Sequence, residues 1–281
     1  MKVLSLFDGI SCGMVALERA GIKVDKYVAY EIDENAIKIS QKNYPQIEHC
    51  GDVTTADFAQ YKDFDLLIGG SPCTYWSIAR NHKERETTPD GIGGQLFMQY
   101  YRAIIKSKPK FFLYENNASI NPQIKDFITE KLGTQPIKID SALVSAQHRE
   151  RLYWTNIPIA QPNDRKMYLN DIVDFSDEER FRPVGKWVYT YWGERKKIDS
   201  IPKITDKKAR TLTTSKTHSF QYYLHTDRKR YTNLSVQEWE ALQTLPAGYV
   251  DNVEIKETAK YKAIGNGWTV DVIAHILKGL K

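Results

Sequence analysis

Apolar residues in the first half of the chain fall into short solid runs, separated by stretches in which they recur at helical spacing. Val3-Leu4-Ser5-Leu6-Phe7 predicts a strand, Asp8 to Gly13 a loop, and Met14 to Ala20 a helix that Gly21 ends. Lys26 to Ile32 predicts the next strand, Asn35 to Asn43 a helix closed by Tyr44-Pro45, and Ile47 to Cys50 a short strand leading to Gly51-Asp52. The run Phe64-Asp65-Leu66-Leu67-Ile68-Gly69-Gly70 reads as a buried central strand, turned sharply at Ser71-Pro72-Cys73. A polar, glycine-rich stretch from Thr74 to Gly94 precedes a helix from Gln95 to Lys106 and a strand Phe111 to Tyr114. Such alternation implies right-handed crossovers and a mostly parallel sheet with helices on both faces.

Asp140 to Ser145 and Leu152 to Ile157 read as two further strands paired at the sheet's end. Beyond Pro158 the alternation stops, and 158–227 reads as a small irregular insert. Helical pattern returns at Ser235 to Leu245, where Ser235 and Glu238 have capping-box spacing, and again at Thr269 to Leu280. The expected organisation is a main domain over 1–157, the insert over 158–227, and a segment 228–281 that returns to the main domain.

The 281 residues suffice for one large α/β domain with a small insert. With 41% hydrophobic and 27% charged residues and no apolar stretch near membrane-spanning length, the expectation is a cytoplasmic protein with no membrane partner. Cys12, Cys50 and Cys73 form neither an even disulfide framework nor a zinc spacing, so no metal is expected. The net charge of +5 is mild, but basic residues crowd Lys186 to Arg230 and interleave with Trp187, Tyr189, Tyr191, Trp192, Tyr222 and Tyr223. A charge run is usually a solvated face, and the interleaved aromatics raise a nucleic-acid partner above that background.

Cys73 stands where open α/β folds do chemistry, at the carboxyl end of a buried strand, although a lone cysteine is as often a small buried hydrophobe. Asp8-Gly9-x-x-x-Gly13 lets backbone approach a ligand at a helix start, but lacks the full dinucleotide spacing and reads equally as a tight turn. Glu31, about twenty residues on, ends the next strand and suits two ribose hydroxyls. Asp52 closes the third strand and suits the exocyclic amine of adenine. An acidic lining without phosphate ligands fits S-adenosylmethionine better than NAD.

With these residues in order, the chain resembles the cytosine-C5 DNA methyltransferases. Phe7-Asp8-Gly9-x-x-x-Gly13, Gly69-Gly70-Ser71-Pro72-Cys73, Glu115-Asn116, Gln147-His148-Arg149-Glu150-Arg151 and Gly265-Asn266-Gly267-Trp268 follow the family's sequence and span nearly all of the chain outside the insert. The pattern is nearest to the de novo-type and compact bacterial or phage members. The resemblance implies a class I S-adenosylmethionine-dependent methyltransferase fold, Rossmann-like, with a target-recognition insert. It also implies transfer of a methyl group to carbon 5 of a flipped cytosine in double-stranded DNA; the sequence leaves the oligomeric state open, with a monomer on DNA as the default.

On that resemblance Cys73 is the nucleophile and Glu115 the acid, Arg151 contacts the cytosine or braces Glu115, and Arg149 holds the flipped nucleotide's backbone. Phe7, Asp8, Gly9, Ile10, Cys12, Gly13, Glu31, Ile32, Asp52, Val53, Pro72, Asn266 and Trp268 form the cofactor site, Phe7 stacking on the adenine. Ser77, Arg80, Asn116, Lys207 and Arg210 are assigned to substrate, with His82, Lys83 and Arg85 as further phosphate contacts. One departure is Glu115-Asn116-Asn117 where the family usually has Glu-Asn-Val, which adds an amide that needs a partner, either nearby backbone or the bound base or donor. A transfer-RNA cytosine methyltransferase and a catalytically dead binding module remain alternatives at this level.

Overall fold

The computed structural model describes residues 1–77, 85–183, 187–189, 195–197, 207–214, 222–224 and 229–281. They divide into two compact units. Met1–Asp140, Glu150–Gln161 and Val272–Lys281 form the first, and Ser141–Arg149 with Pro162–Asp271 form the second. The chain thus returns to the first unit at Val272, well after the 228 that periodicity suggested, because 229–271 packs with the second unit.

The first unit is built on a seven-stranded sheet. Its strands are β1 (Lys2–Leu6), β2 (Lys26–Tyr30), β3 (Glu48–His49), β4 (Leu66–Gly69), β5 (Phe111–Asn117), β6 (Ile137–Asp140) and β7 (Glu150–Thr155), in the order β3-β2-β1-β4-β5-β7-β6. β1 to β5 are parallel, and β7 enters antiparallel between β5 and β6. The expected end pair therefore exists, but its first strand stops at Asp140. The Ser141 hydroxyl donates to the Arg149 carbonyl at 3.3 Å, and a tight 3-10 turn over Ser141–Leu143 replaces extended chain.

Helices α1 (Cys12–Arg19), α2 (Glu34–Asn43), α3 (Ile92–Ser107) and α4 (Pro122–Leu132) cover this sheet. Two adjacent residues of β4 place α1 and α3 on opposite faces. A Cβ added at Gly13 of α1 would crowd the Ile68 side chain, whereas one added at Gly69 would lie 3.2 Å from the Tyr100 ring of α3. Neither position has room for a side chain. Phe97 of α3 meets Tyr114 edge-on at 5.2 Å, Tyr100 meets it tilted at 4.8 Å, and Trp154 joins at 5.8 Å, forming the aromatic centre of the core.

Periodicity passes over α4, though its stops are local: Asn121 caps it, Pro122 opens it, and Gly133 ends it at φ +65°. In the second unit lie α5 (Val236–Leu242) and α6 (Glu257–Asn266), the latter also unmarked by periodicity. The Ser235–Glu238 capping box is present at the start of α5. Short antiparallel strands, β8 (Arg182–Pro183), β9 (Trp187–Tyr189), β10 (Arg195–Lys197), β11 (Tyr222–Leu224) and β12 (Arg230–Asn233), form two small sheets there. The last helix, α7, spans Val270–Leu277.

Candidate active site

In the first unit the strand order reverses between β1 and β4, and a crevice opens at such a switch point beyond the strands' carboxyl ends. Both turns that enter it are unusual. After β1, Phe7, Gly9 and Ser11 all lie in the left-handed region, at φ +57°, +61° and +59°. An aromatic residue held there costs about 1–3 kcal/mol, a strain that clusters at functional sites. After β4, Ser71 and Pro72 lead to Cys73, which starts a 3-10 turn whose carbonyl accepts the Trp76 and Ser77 amides, both at 2.9 Å. Cys73 is half-buried and not disulfide-bonded.

The Cys73 turn is tied to the core from below. Ser71 Oγ lies 2.6 Å from Tyr114 Oη, and the Ser71 carbonyl accepts Asn116 Nδ2 at 3.3 Å. Burial pushes the Tyr114 phenol up, so it stays a neutral hydrogen-bonding group. Asn116 is 2% exposed, and its Oδ1 accepts the Asn117 amide at 2.9 Å. It orients backbone beside the turn. Asn117 Oδ1 accepts the Ser119 amide at 3.1 Å and hydroxyl at 2.8 Å, so the departure at this position finds its partners locally.

Glu115 lies near the carboxyl end of β5, and Arg151 near the start of the antiparallel β7. Asn117 pairs directly with Arg151, so Glu115, two residues back, is Arg151's diagonal neighbour on the same face. Arg151 Nε is 3.0 Å from Glu115 Oε1, with both side chains largely buried. Reversal of the chain at β7 is what delivers this arginine to the rim where the parallel strands end.

The carboxylates around the β1 turn have different tasks. Asp8 is partly buried and accepts hydroxyls from Ser5 at 2.6 Å, Tyr27 at 2.7 Å, and Ser11. It holds the turn from inside, in place of the cofactor contact expected from sequence. Ile10 and Cys12 are buried, at 1% and 3% exposure, leaving only their backbone to face a ligand. Glu31 follows β2 and accepts amides of Gly9 at 2.7 Å and of Ile32 and Asp33 at 2.8 Å, clasping the two turns together. Asp52 is exposed, its carboxyl held below the usual range by the Thr54 amide that it caps at 2.8 Å. Next to Glu31, Ile32 is 72% exposed, a large apolar side chain with no cover.

This donor set fits S-adenosylmethionine. A Cβ at Gly9 would meet nothing within 4 Å, so there is open space over the turn. The turns after β1, β2 and β3 carry two carboxylates suited to hydroxyl and amine hydrogens, Glu31 and Asp52, an aromatic in Phe7 and an apolar face in Ile32. Val53 is buried in the turn that Asp52 caps, and Pro72 is exposed beside Cys73.

In the second unit Arg149 is 5% exposed and donates to the carbonyls of Leu212 at 3.1 Å and of Gly265 and Gly267, both at 3.0 Å. That differs from the expected role on a nucleotide backbone: the guanidinium braces the turn that carries Asn266 and Trp268. Gln243, fully buried, donates to the Gly267 carbonyl at 3.1 Å and accepts from Thr269 at 2.7 Å. A Cβ at Gly265 would lie 2.6 Å from the Thr213 carbonyl carbon, so only glycine fits. Residues 207–213 run beside 146–148, with His148 donating to the Ala209 carbonyl at 2.8 Å, and leave Lys207 and Arg210 exposed.

The family model for C-5 cytosine-specific DNA methylases matches residues 1–131 and 117–281, the whole chain. The chain belongs to the C-5 cytosine-specific DNA methylase family. It is 33% identical over 165 residues to the orphan methyltransferase M.SPRI of Bacillus phage SPR, a match covering 54% of this chain and 37% of that protein. The chain therefore spans little more than a third of that relative. With the type II methyltransferase M.NlaX of Neisseria lactamica it shares 25% identity over 311 residues, covering 100% of this chain and 96% of the relative. The structure of the Entamoeba histolytica methyltransferase EhMeth superposes with a TM-score of 0.79 at 17% identity, covering 100% of this chain and 97% of that one. A putative DNA modification methyltransferase of an Escherichia coli prophage gives 0.71 at 18%, covering 100% and 98%. The fold is the Rossmann-like one of class I S-adenosylmethionine-dependent methyltransferases.

Of the residues assigned from sequence to this methylase site, the first unit places Cys73, Glu115, Arg151, Glu31, Asp52 and Phe7 at the carboxyl rim of one sheet. Ser77 closes the Cys73 turn through its amide. Arg80, His82 and Lys83 lie outside the described residues, as does much of the basic stretch 186–230. Arg85 is described, and it donates to the carbonyls of Trp76, at 3.0 Å, and Ser119, an anchoring role instead of a phosphate contact. Among the described residues no cluster of three His, Cys, Asp or Glu is set to hold a metal, and no helix is long and apolar enough to cross a membrane. Two buried residues that sequence reasoning missed, Gln243 and Glu240, carry no local signal, since their partners stand elsewhere in the chain: backbone amides for Glu240, backbone carbonyls and the Gln147 and Thr269 side chains for Gln243.

Proposed function

We propose that the chain transfers a methyl group from S-adenosylmethionine to carbon 5 of a flipped cytosine in DNA. The observation that carries this reading is a thiol at the β4 switch-point turn beside a strand end bearing a carboxyl group clamped by arginine. Carbon 5 of cytosine is a poor nucleophile until a group adds at carbon 6. The Cys73 thiolate forms a bond to carbon 6, and Glu115, positioned by Arg151, holds a proton at ring nitrogen 3. The electron pair then available at carbon 5 takes the methyl group. Loss of the carbon 5 proton and expulsion of Cys73 restore the ring.

S-adenosylmethionine supplies the electrophilic methyl on its sulfonium. Glu31 would take the ribose hydroxyls, Asp52 the adenine amine, and Phe7 and Ile32 the adenine faces. Flipping the base costs a few kcal/mol, which Lys207, Arg210 and other basic groups offset by holding phosphates. The test is incorporation of tritiated methyl groups into duplex DNA and into transfer RNA by wild type and Cys73→Ala. Label in DNA that Cys73→Ala abolishes is the expected result. Label retained by that variant refutes the mechanism, and label confined to transfer RNA refutes the substrate.

A further inference from the structure

Helix α3 touches both turns on which the proposed chemistry depends, through two side chains to which that chemistry assigns no role. At its start the Glu86 carboxylate accepts the amides of Ile92 at 2.9 Å and Gly93 at 3.0 Å. The same carboxylate accepts the indole Nε1 of Trp76 at 3.1 Å, three residues after Cys73. The Glu86 amide donates to the Tyr75 carbonyl at 2.9 Å, and Arg85 Nε to the Trp76 carbonyl at 3.0 Å. Trp76 is fully buried, and a Cβ at Gly93 would press into its ring, so indole, carboxylate and helix start fit in one arrangement. The nucleophile's turn is thus bolted to the end of α3.

Nine residues along, about 14 Å at 1.5 Å per residue, Arg102 leaves the same helix. Its NH2 group donates to the carbonyls of Val53 at 3.0 Å, Ala56 at 3.2 Å and Thr54 at 3.3 Å. The guanidinium also lies 4.9 Å over the Phe58 ring. Those carbonyls belong to the 3-10 turn whose opposite end Asp52 caps. Arg102 thus grips the carbonyls of the same short turn that Asp52 caps through the Thr54 amide.

We propose that α3 is a splint that sets the spacing between nucleophile and adenine-side turns, with Glu86 and Arg102 as positioning residues, one for each. The inference rests on the cofactor and nucleophile assignments above, and two of its readouts need no turnover. Those are calorimetric affinity for S-adenosylmethionine and the rate of Cys73 alkylation by iodoacetamide, resolved by peptide mass spectrometry. Arg102→Met is expected to weaken cofactor affinity about tenfold and to raise KM for the cofactor more than it lowers kcat. Glu86→Gln turns an amide donor toward N–H groups, and is expected to change Cys73 alkylation at least about fivefold and to lower kcat more than it raises KM. Arg102→Lys, which keeps charge but not the planar fork, is expected to recover part of the affinity.

Both variants shifting both readouts alike, or neither shifting its own, overturns the proposal and leaves α3 a general structural element. If either variant fails to fold, Glu86→Asp and Arg102→Lys carry the same comparison. If the wild type binds cofactor and the two variants show the split, yet the wild type labels no nucleic acid, the functional reading is defeated and the splint stands.

Discussion

His49 sits at one end of a chain of hydroxyls behind the β1 turn. Its Nε2 is 3.0 Å from Ser40 Oγ, which lies 2.6 Å from Ser11 Oγ, and Ser11 donates to Asp8. Burial holds the His49 pKa below its ordinary value, although Asp8 and Glu31 pull it upward, and Nδ1 is buried without a hydrogen-bond partner to receive a second N–H. The folded protein therefore favours neutral His49. Above the ordinary value of about 6.5 neither folded nor unfolded chain binds that proton, and the full stability is present. As pH falls the unfolded chain takes the proton first, and stability is lost at up to about 1.4 kcal/mol per pH unit. Urea unfolding at pH 8 and pH 6 should show a smaller acid loss for His49→Gln than for wild type; an equal loss would exclude His49 as the source. Cys73, Glu31, Asp52 and Glu115 were legible in sequence because each stands at or near a strand end, a position that a run of apolar residues announces. Glu86 and Arg102 were not, because their partners, backbone groups together with the Trp76 indole and the Phe58 ring, are ones that only the folded chain brings near.

Whether an element can be read from sequence follows from where its caps come from. For α5 the cap is local: Ser235 Oγ accepts the Glu238 amide at 3.2 Å while Glu238 accepts the Ser235 amide at 2.7 Å, so the spacing alone announces it. Ser235→Ala is expected to cost about 1 kcal/mol in thermal unfolding. Glu238 also accepts the Asp174 amide at 2.8 Å and pairs with Arg180 at 2.6 Å, while 3% exposed. Glu238→Ala should cost clearly more than Ser235→Ala, about 3 kcal/mol or above, since it strands a buried guanidinium. The start of α3 lies three residues earlier than periodicity places it, because its cap comes from Glu86, six residues upstream of Ile92. In the Gly265–Trp268 turn the brace is Arg149, more than a hundred residues away, and nothing in the local sequence marks it.

At the scale of the whole molecule, charge sets the expected salt dependence of nucleic-acid binding. The net charge of +5 is modest, so binding should rest on particular exposed groups, Lys207 and Arg210 among them. Each is expected to weaken duplex binding evenly across sequences when replaced by alanine, and to reduce the slope of log affinity against log salt by about 1. Fluorescence anisotropy at a series of salt concentrations reads both; an unchanged slope would remove that residue from the phosphate contacts. Alternation of strands and helices made the first unit legible, whereas the division of labour after Pro158 was not, because contacts at long separation decide which unit a segment joins. The facing of Asn117 and Arg151 makes the candidate acid a matter of parity. Loops can gain or lose residues in any number, but β7 displaced by a single step would carry Arg151 through to the opposite side of the sheet. Glu150 or Leu152 would then stand beside Glu115, a like charge or no charge at all. Length variation within this strand is thus admissible only in twos, and only where the arginine keeps its row.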